Sequence, residues 1–214
     1  ERKIPFTIFG VATALERNDD VCHAIQKSDL SGPRIEVAGH GWKWIDYQNV
    51  PKAVEKKHMK MAIKSIEKTI GVRPLGWYTG RCSPNTLDLV AEEGGFLYSS
   101  DSYSDDLPYW EKKGKKKQLI IPYTLDNNDM RFTTNQGFNS GDQFYNYLKD
   151  SFDTLYNESD GPKMMSVGLH CRIIGRPGRF QSLKRFLDYV QKHKDVWICR
   201  RIDIANHWIK NYSI

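Results

Sequence analysis

RIEVAGHGWKW (residues 34–44) begins as a short apolar run, 34–39, and breaks at His40, which sits between Gly39 and Gly41. A run of this kind, too short for a helix and bounded by glycine, reads as a buried strand. Another precedes it: IPFTIFGVA (4–12), followed by a helix to residue 27. After it comes a long helix over 51–70, with Pro51 suited to the first turn, where a missing N–H is tolerated. Val54, Met61, Ala62, Ile66 and Ile70 are expected on its apolar face, and Lys56, Lys57, Lys60, Lys64 and Lys68 largely away from it.

The alternation continues along the chain. VRPLGWY (72–78) reads as the third strand, and Ser83 with Pro84 as the N-cap and first turn of a helix that stops at Gly94 and Gly95. FLYSS (96–100) and QLIIPY (118–123) are the fourth and fifth strands. Ser140 and Gln143 form a capping box for a helix that lines up Phe144, Tyr147, Leu148, Phe152 and Leu155. KMMSVGLH (163–170) is the sixth strand, and its helix carries Leu183, Phe186, Leu187 and Val190. DVWICRR (195–201) is the seventh, with a last short helix over 204–209. Strands that repeatedly give way to helices predict the α/β class, right-handed crossovers and a parallel sheet. Seven strands suit a barrel-like closure. No linker rich in Pro, Gly or Ser divides the chain, so it reads as one domain.

Composition sets further limits. The chain has 214 residues, 39% hydrophobic and 12% aromatic, enough for a sizeable core and unlike a disordered chain. No apolar run approaches the roughly 20 residues of a membrane helix, so no membrane partner is expected. Charge is 32 Lys+Arg against 26 Asp+Glu, a net +6, much of it in EKKGKKK (111–117). That run reads as a solvated loop between two strands. Nucleic-acid binding would want interleaved aromatics or a basic helix face, and neither is there. Cys22, Cys82, Cys171 and Cys199 are too scattered for a disulfide scaffold or zinc knuckle, and four reduced thiols suit a cytoplasmic protein. The opening ERKIPFTIFG reads as the flank of a strand rather than a secretory leader, and its abruptness points to residues upstream.

In parallel α/β barrels the chemistry gathers where strands end. His40 follows the 34–39 run; Trp77, Tyr78 and Arg81 follow or end the third strand; Asp101, Tyr103, Asp105 and Asp106 follow the fourth. Asp126, Asn127, Asn128, Asp129 and Arg131 come after the fifth, and His170 and Arg172 after the sixth. Two histidines directly behind buried runs, with amides, carboxylates and guanidinium groups at the other exits, point to a small-molecule site. His23, His58, His193 and His207 fall in or beside helices and read as structural or surface residues. No G-x-S-x-G elbow supports a serine nucleophile. Cys171, next to His170, is expected to pack inward.

HGWKW (40–44), RPLGWYTGR (73–81), SSDSYSDDLPYW (99–110) and VGLH (167–170) resemble, in order, the motifs of the polysaccharide deacetylases, the NodB-like carbohydrate esterases. The likeness is closer to the allantoinase branch, through WIDYQ (44–48), IPYTLDNNDMRF (121–132), QGFNSGD (136–142), GLHCRIIGRPGR (168–179) and RRIDIANHW (200–208). It covers essentially the whole chain. The resemblance implies one NodB-homology domain over 1–214, a deformed (β/α) barrel apparently lacking its first strand, since family members carry a further N-terminal stretch. It also implies hydrolysis of amide C–N bonds: opening of the hydantoin ring of allantoin to allantoate, in purine breakdown. Deacetylases hold a divalent metal with an aspartate and an H-x-x-x-H pair. Here His40 matches the first histidine, but Trp44 stands at the second, and an indole has no lone pair to offer. The resemblance therefore implies no metal and no cofactor, a small ureide substrate, a homo-oligomer and a cytoplasmic location.

Carried over by position, Arg73 matches the arginine of the RP motif, Asp101 the acidic position of the next, and His170 the Leu-His histidine. His40, His170 and Asp101 are the expected catalytic residues, with the histidines sharing the proton transfers. Arg81 or Arg172 would hold the ureido oxygens and the nascent carboxylate. Trp77 and Tyr78 would pack the flat ring, and Asn128 and Asp129 would read its N–H and C=O edges. Two other readings stay open: a metal-dependent deacetylase of N-acetylglucosamine polymers, and a non-catalytic fragment that needs the missing N-terminal part.

Overall fold

A computed structural model describes residues 2–28, 34–158 and 160–212. They fall into two compact units, one of Glu1–Ser102, Pro108–Pro122 and Ile198–Ile214, the other of Tyr103–Leu107 and Tyr123–Trp197.

The first unit holds the sheet. Its strands are β1 (Phe6–Gly10), β2 (Ile35–Gly39), β3 (Gly76–Trp77), β4 (Tyr98–Ser99), β5 (Tyr109–Lys113) and β6 (Lys116–Ile120), in the order β1-β2-β3-β4-β6-β5. All neighbouring pairs are parallel except β5 with β6, which the sequence did not predict. The basic run is therefore a hairpin, turning at Gly114 and Lys115, with Lys112 opposite Lys117 and Lys113 opposite Lys116. Like charges face to face weaken such a pair. Here Lys113 Nζ reaches Glu111 at 2.9 Å, and Lys116 Nζ donates to the Glu92 carbonyl at 3.0 Å. A charged edge strand also discourages pairing with another chain.

Helices α1 (Ala12–Leu15), α2 (Asp19–Ser28), α3 (Lys52–Ile70) and α4 (Thr86–Glu93) follow these strands, and α8 (Arg201–Asn211) closes the unit. The single helix expected over 13–27 is interrupted, because Asn18 Oδ1 accepts from Val21 N–H and starts α2 afresh. On α3 the buried face is Met59, Ala62, Ile63, Ile66 and Ile70, whereas Val54 is exposed and Met61 half-buried. These side chains meet Leu15, Cys22, Ile25, Val37, Trp77, Leu89, Val90 and Phe96 in one core. Gly71 and Gly94, both left-handed, end α3 and α4 by returning their N–H groups to the Glu67 and Val90 carbonyls. Ser83 is not the cap of α4. Asn85 holds that place, and the Ser83 hydroxyl instead donates to buried Glu55.

The second unit contains a 3₁₀ turn (Asp129–Thr133), α5 (Gly141–Asn157), α6 (Cys171–Ile174) and α7 (Pro177–Val190). Ser140 Oγ accepts from Gln143 N–H, as its capping pattern predicts. Phe144, Leu148, Phe152, Leu183, Phe186 and Val190 are buried between α5 and α7. The segment 163–170 is not a strand: a single bridge joins Asn128 to Gly168. A Cβ at Gly168 would collide with Tyr123 and Asn128, so the approach is closed to any larger residue. The segment 195–201 likewise forms no ladder, and the N–H of Arg201 at its end goes to the side chain of Thr7.

Candidate active site

Each unit carries one of the two expected histidines, held in a similar way. In the first unit β2 ends at Gly39, where a Cβ would strike the Trp77 ring, and His40 follows. His40 Nδ1 lies 2.6 Å from the Tyr78 carbonyl oxygen. A carbonyl only accepts, so Nδ1 carries the proton and Nε2 becomes the nitrogen that exchanges one. The Tyr78 ring stacks on the imidazole, 5.3 Å between centroids and 8° from parallel. Phe9 closes against Tyr78 at 4.7 Å.

Asp101 follows β4. Its carboxylate accepts from Thr79 N–H at 2.8 Å, Thr79 Oγ1 at 3.0 Å and Gly80 N–H at 2.8 Å. Burial raises its pKa to about 6, against the opposing pull of those donors. Thr79 and Gly80 had no sequence signal of their own beyond their place just behind a strand.

In the second unit Asp129 is completely buried, while 28% of the His170 side chain is exposed. Asp129 Oδ1 receives His170 Nδ1–H at 2.7 Å, and Oδ2 receives the N–H groups of His170 at 2.8 Å and Ile174 at 3.1 Å. Wholly buried and already accepting from three protein donors, Asp129 faces the protein and not a ligand edge, contrary to the ligand-reading role expected from the sequence. It orients His170.

The remaining candidates separate clearly. Trp77 is 2% exposed and packs on Phe96 at 5.2 Å, so its ring belongs to the core and not to an open rim. Its Nε1 and the Oδ1 of Asn127 are buried without a partner among the described residues. Asn128 is also buried. Its Oδ1 caps Met130 N–H at 2.8 Å and its Nδ2 donates to Tyr123 Oη at 3.0 Å, which makes it a turn residue in place of a substrate reader. Arg172 is exposed, and its Nη2 lies 3.9 Å from Met130 Sδ. Arg81 is exposed, with its guanidinium 4.8 Å over the Trp44 ring. Cys171 is exposed, contrary to the packing expected, because α6 turns Ile173 and Ile174 inward instead. All four cysteines are free.

The deacetylase metal triad does not fit these residues. Trp44 offers no ligand atom and lies under a cation, Asp101 is occupied by backbone donors, and His40 Nδ1 is committed to a carbonyl. Among the described residues no group of three or more His, Cys, Asp or Glu side chains is placed to hold a metal ion. No described helix is long and apolar enough to cross a membrane.

No family model matches the chain. A Schizosaccharomyces pombe protein that carries the name of a polysaccharide deacetylase is 39% identical over 226 aligned positions, covering 97% of this chain and 69% of that one. A crystal structure from Pseudomonas aeruginosa PAO1, named for the same family, is 53% identical with a TM-score of 0.93, covering 100% of this chain and 70% of that one. The crystal structure of PuuE allantoinase is 54% identical with a TM-score of 0.92, over 99% and 69% of the two chains. At these identities and coverages, the α/β architecture and the sequence agree on one assignment. The chain belongs to the polysaccharide deacetylase superfamily of hydrolases, alongside its allantoinase-type members.

Proposed function

We propose that the protein hydrolyses a cyclic amide C–N bond, opening the hydantoin ring of an allantoin-like ureide to the open-chain acid. The observation that carries this reading is the His170–Asp129 pair, with the similarity to PuuE allantoinase as its context. With Nδ1–H given to Asp129, His170 Nε2 is the basic nitrogen and can take a proton from water. The hydroxide adds to the ring carbonyl, the C–N bond breaks, and the leaving nitrogen receives a proton. Buried Asp129 stabilises the imidazolium that forms on the way. His40, with Nδ1 committed to Tyr78, supplies the second proton-transfer nitrogen. Arg172 and Arg81 are the donors proposed for the ureido oxygens and the developing carboxylate, and Tyr78 the ring that packs the heterocycle. Asp101 makes its contribution from behind His40.

The test is a ring-opening assay on allantoin, with and without chelator, for the protein and its His170→Ala variant. Turnover that survives chelation and falls about 100-fold or more in the variant is expected for loss of a general base. Absence of allantoin turnover, with zinc-dependent release of acetate from N-acetylglucosamine oligomers, would replace this reading with a deacetylase.

A further inference from the structure

The peptide group between Tyr78 and Thr79 has two partners of opposite kind. Its carbonyl oxygen receives His40 Nδ1–H at 2.6 Å, and its N–H donates to Asp101 at 2.8 Å. There is no cis peptide bond among the described residues, so this C=O and N–H point to opposite sides of one rigid plane. The three groups therefore lie in series: carboxylate, peptide, imidazole. We infer that Asp101 is a positioning residue that acts on His40 through this single peptide, as Asp129 acts on His170 directly.

Several observations support it. Thr79 is only 4% exposed, and its hydroxyl reinforces the same carboxylate at 3.0 Å. Gly80 adds a further N–H at 2.8 Å from a left-handed turn, φ +66°. Tyr78 N–H is held by the Gly39 carbonyl at 2.9 Å, which anchors the other end of the residue. The peptide cannot swing to present its N–H to His40 without breaking all of these. A negative charge on the N–H side also polarises the amide and strengthens its oxygen as an acceptor. The outcome is an imidazole held as the Nδ1–H tautomer.

This inference rests on the proposed role of His40 for its catalytic meaning but not for its structural content, and the experiment separates the two. The His40 ring tautomer is read by long-range ¹H–¹⁵N correlation in the wild type, Asp101→Asn and Asp101→Ala, with kcat and KM measured alongside. The wild type should show Nδ1–H. The variants should lose that preference, with His170 signals unmoved, and kcat should fall about 10- to 100-fold at near-constant KM, as for lost outer-shell partners. Asp101→Asn keeps the shape and one acceptor, so it serves if the alanine variant does not fold. A wild-type His40 with its proton on Nε2, or an unchanged tautomer in Asp101→Asn, overturns the relay. If the tautomer shifts as expected while His40→Ala keeps full turnover, the relay stands and the catalytic reading of His40 fails.

Discussion

Asp129 and His170 form a 2.7 Å hydrogen bond in which the acid is wholly buried and the base partly exposed. The asymmetry matters. A carboxylate kept from water holds the ring in one tautomer, and the partly exposed imidazole keeps its other nitrogen as the one that exchanges a proton.

Replacing Asp129 by Asn should therefore lower kcat by about 100- to 10,000-fold, because an amide can accept from the backbone yet also stabilise the wrong tautomer. If the amide oxygen faces His170 instead, the backbone N–H groups of His170 and Ile174 meet its NH2 and are left short of an acceptor, at a cost of about 1–3 kcal/mol. Steady-state turnover and urea unfolding measure the two effects separately. Wild-type turnover in this variant would remove the pair from the mechanism.

The raised pKa of Asp101, about 6 against an ordinary 3.8, has a definite sign. The folded state binds this proton more tightly than the unfolded chain does. Its favourable contribution is complete below about pH 4 and disappears as the pH rises through about 6. Asp101→Asn, uncharged throughout, should gain stability relative to the wild type between those limits. Urea midpoints of both proteins across that range give the answer, and parallel curves would contradict it.

Arg201 is buried, and its guanidinium donates to Ser100 Oγ and to the Ile121 and Pro122 carbonyls at 2.9–3.0 Å. Arg201→Met would strip these acceptors of their donor and remove the cation that opposes buried Glu36. A loss of about 3 kcal/mol or more is expected in urea unfolding. A change below about 0.5 kcal/mol, the size of an ordinary surface substitution, would show that water satisfies these groups.

Gly76 on β3 admits no side chain, because a Cβ there would overlap the Tyr98 ring, itself fixed by a 2.8 Å bond to Glu36. Gly76→Ala should destabilise by about 1–3 kcal/mol through overpacking. The double variant with Tyr98→Leu should recover part of that loss. Equal stability of Gly76→Ala and wild type would mean the strand can shift.

Much of the fold was legible locally. The runs at 4–12 and 34–39 became β1 and β2, the Ser140–Gln143 cap appeared at α5, and Gly94 ended α4. These signals depend on a few adjacent residues. The misreadings share a cause. KMMSVGLH and DVWICRR have strand-like composition, but their backbone groups found partners elsewhere: Thr124, Asn127 and Asp129 in one case, Thr7 in the other. Composition does not reveal which partner a backbone N–H will meet.

The chain alone determined the α/β alternation, the positions of His40 and His170 behind apolar runs, and the family motifs, since all are written in neighbouring residues. Folding decided the rest. It took Trp77 and Asn128 out of the rim, turned Asp129 from a ligand reader into the partner of His170, and put Asp101 one peptide away from His40. Hydrogen-bond partners separated by 22 to 41 positions are chosen by packing and burial, and no local pattern encodes that choice.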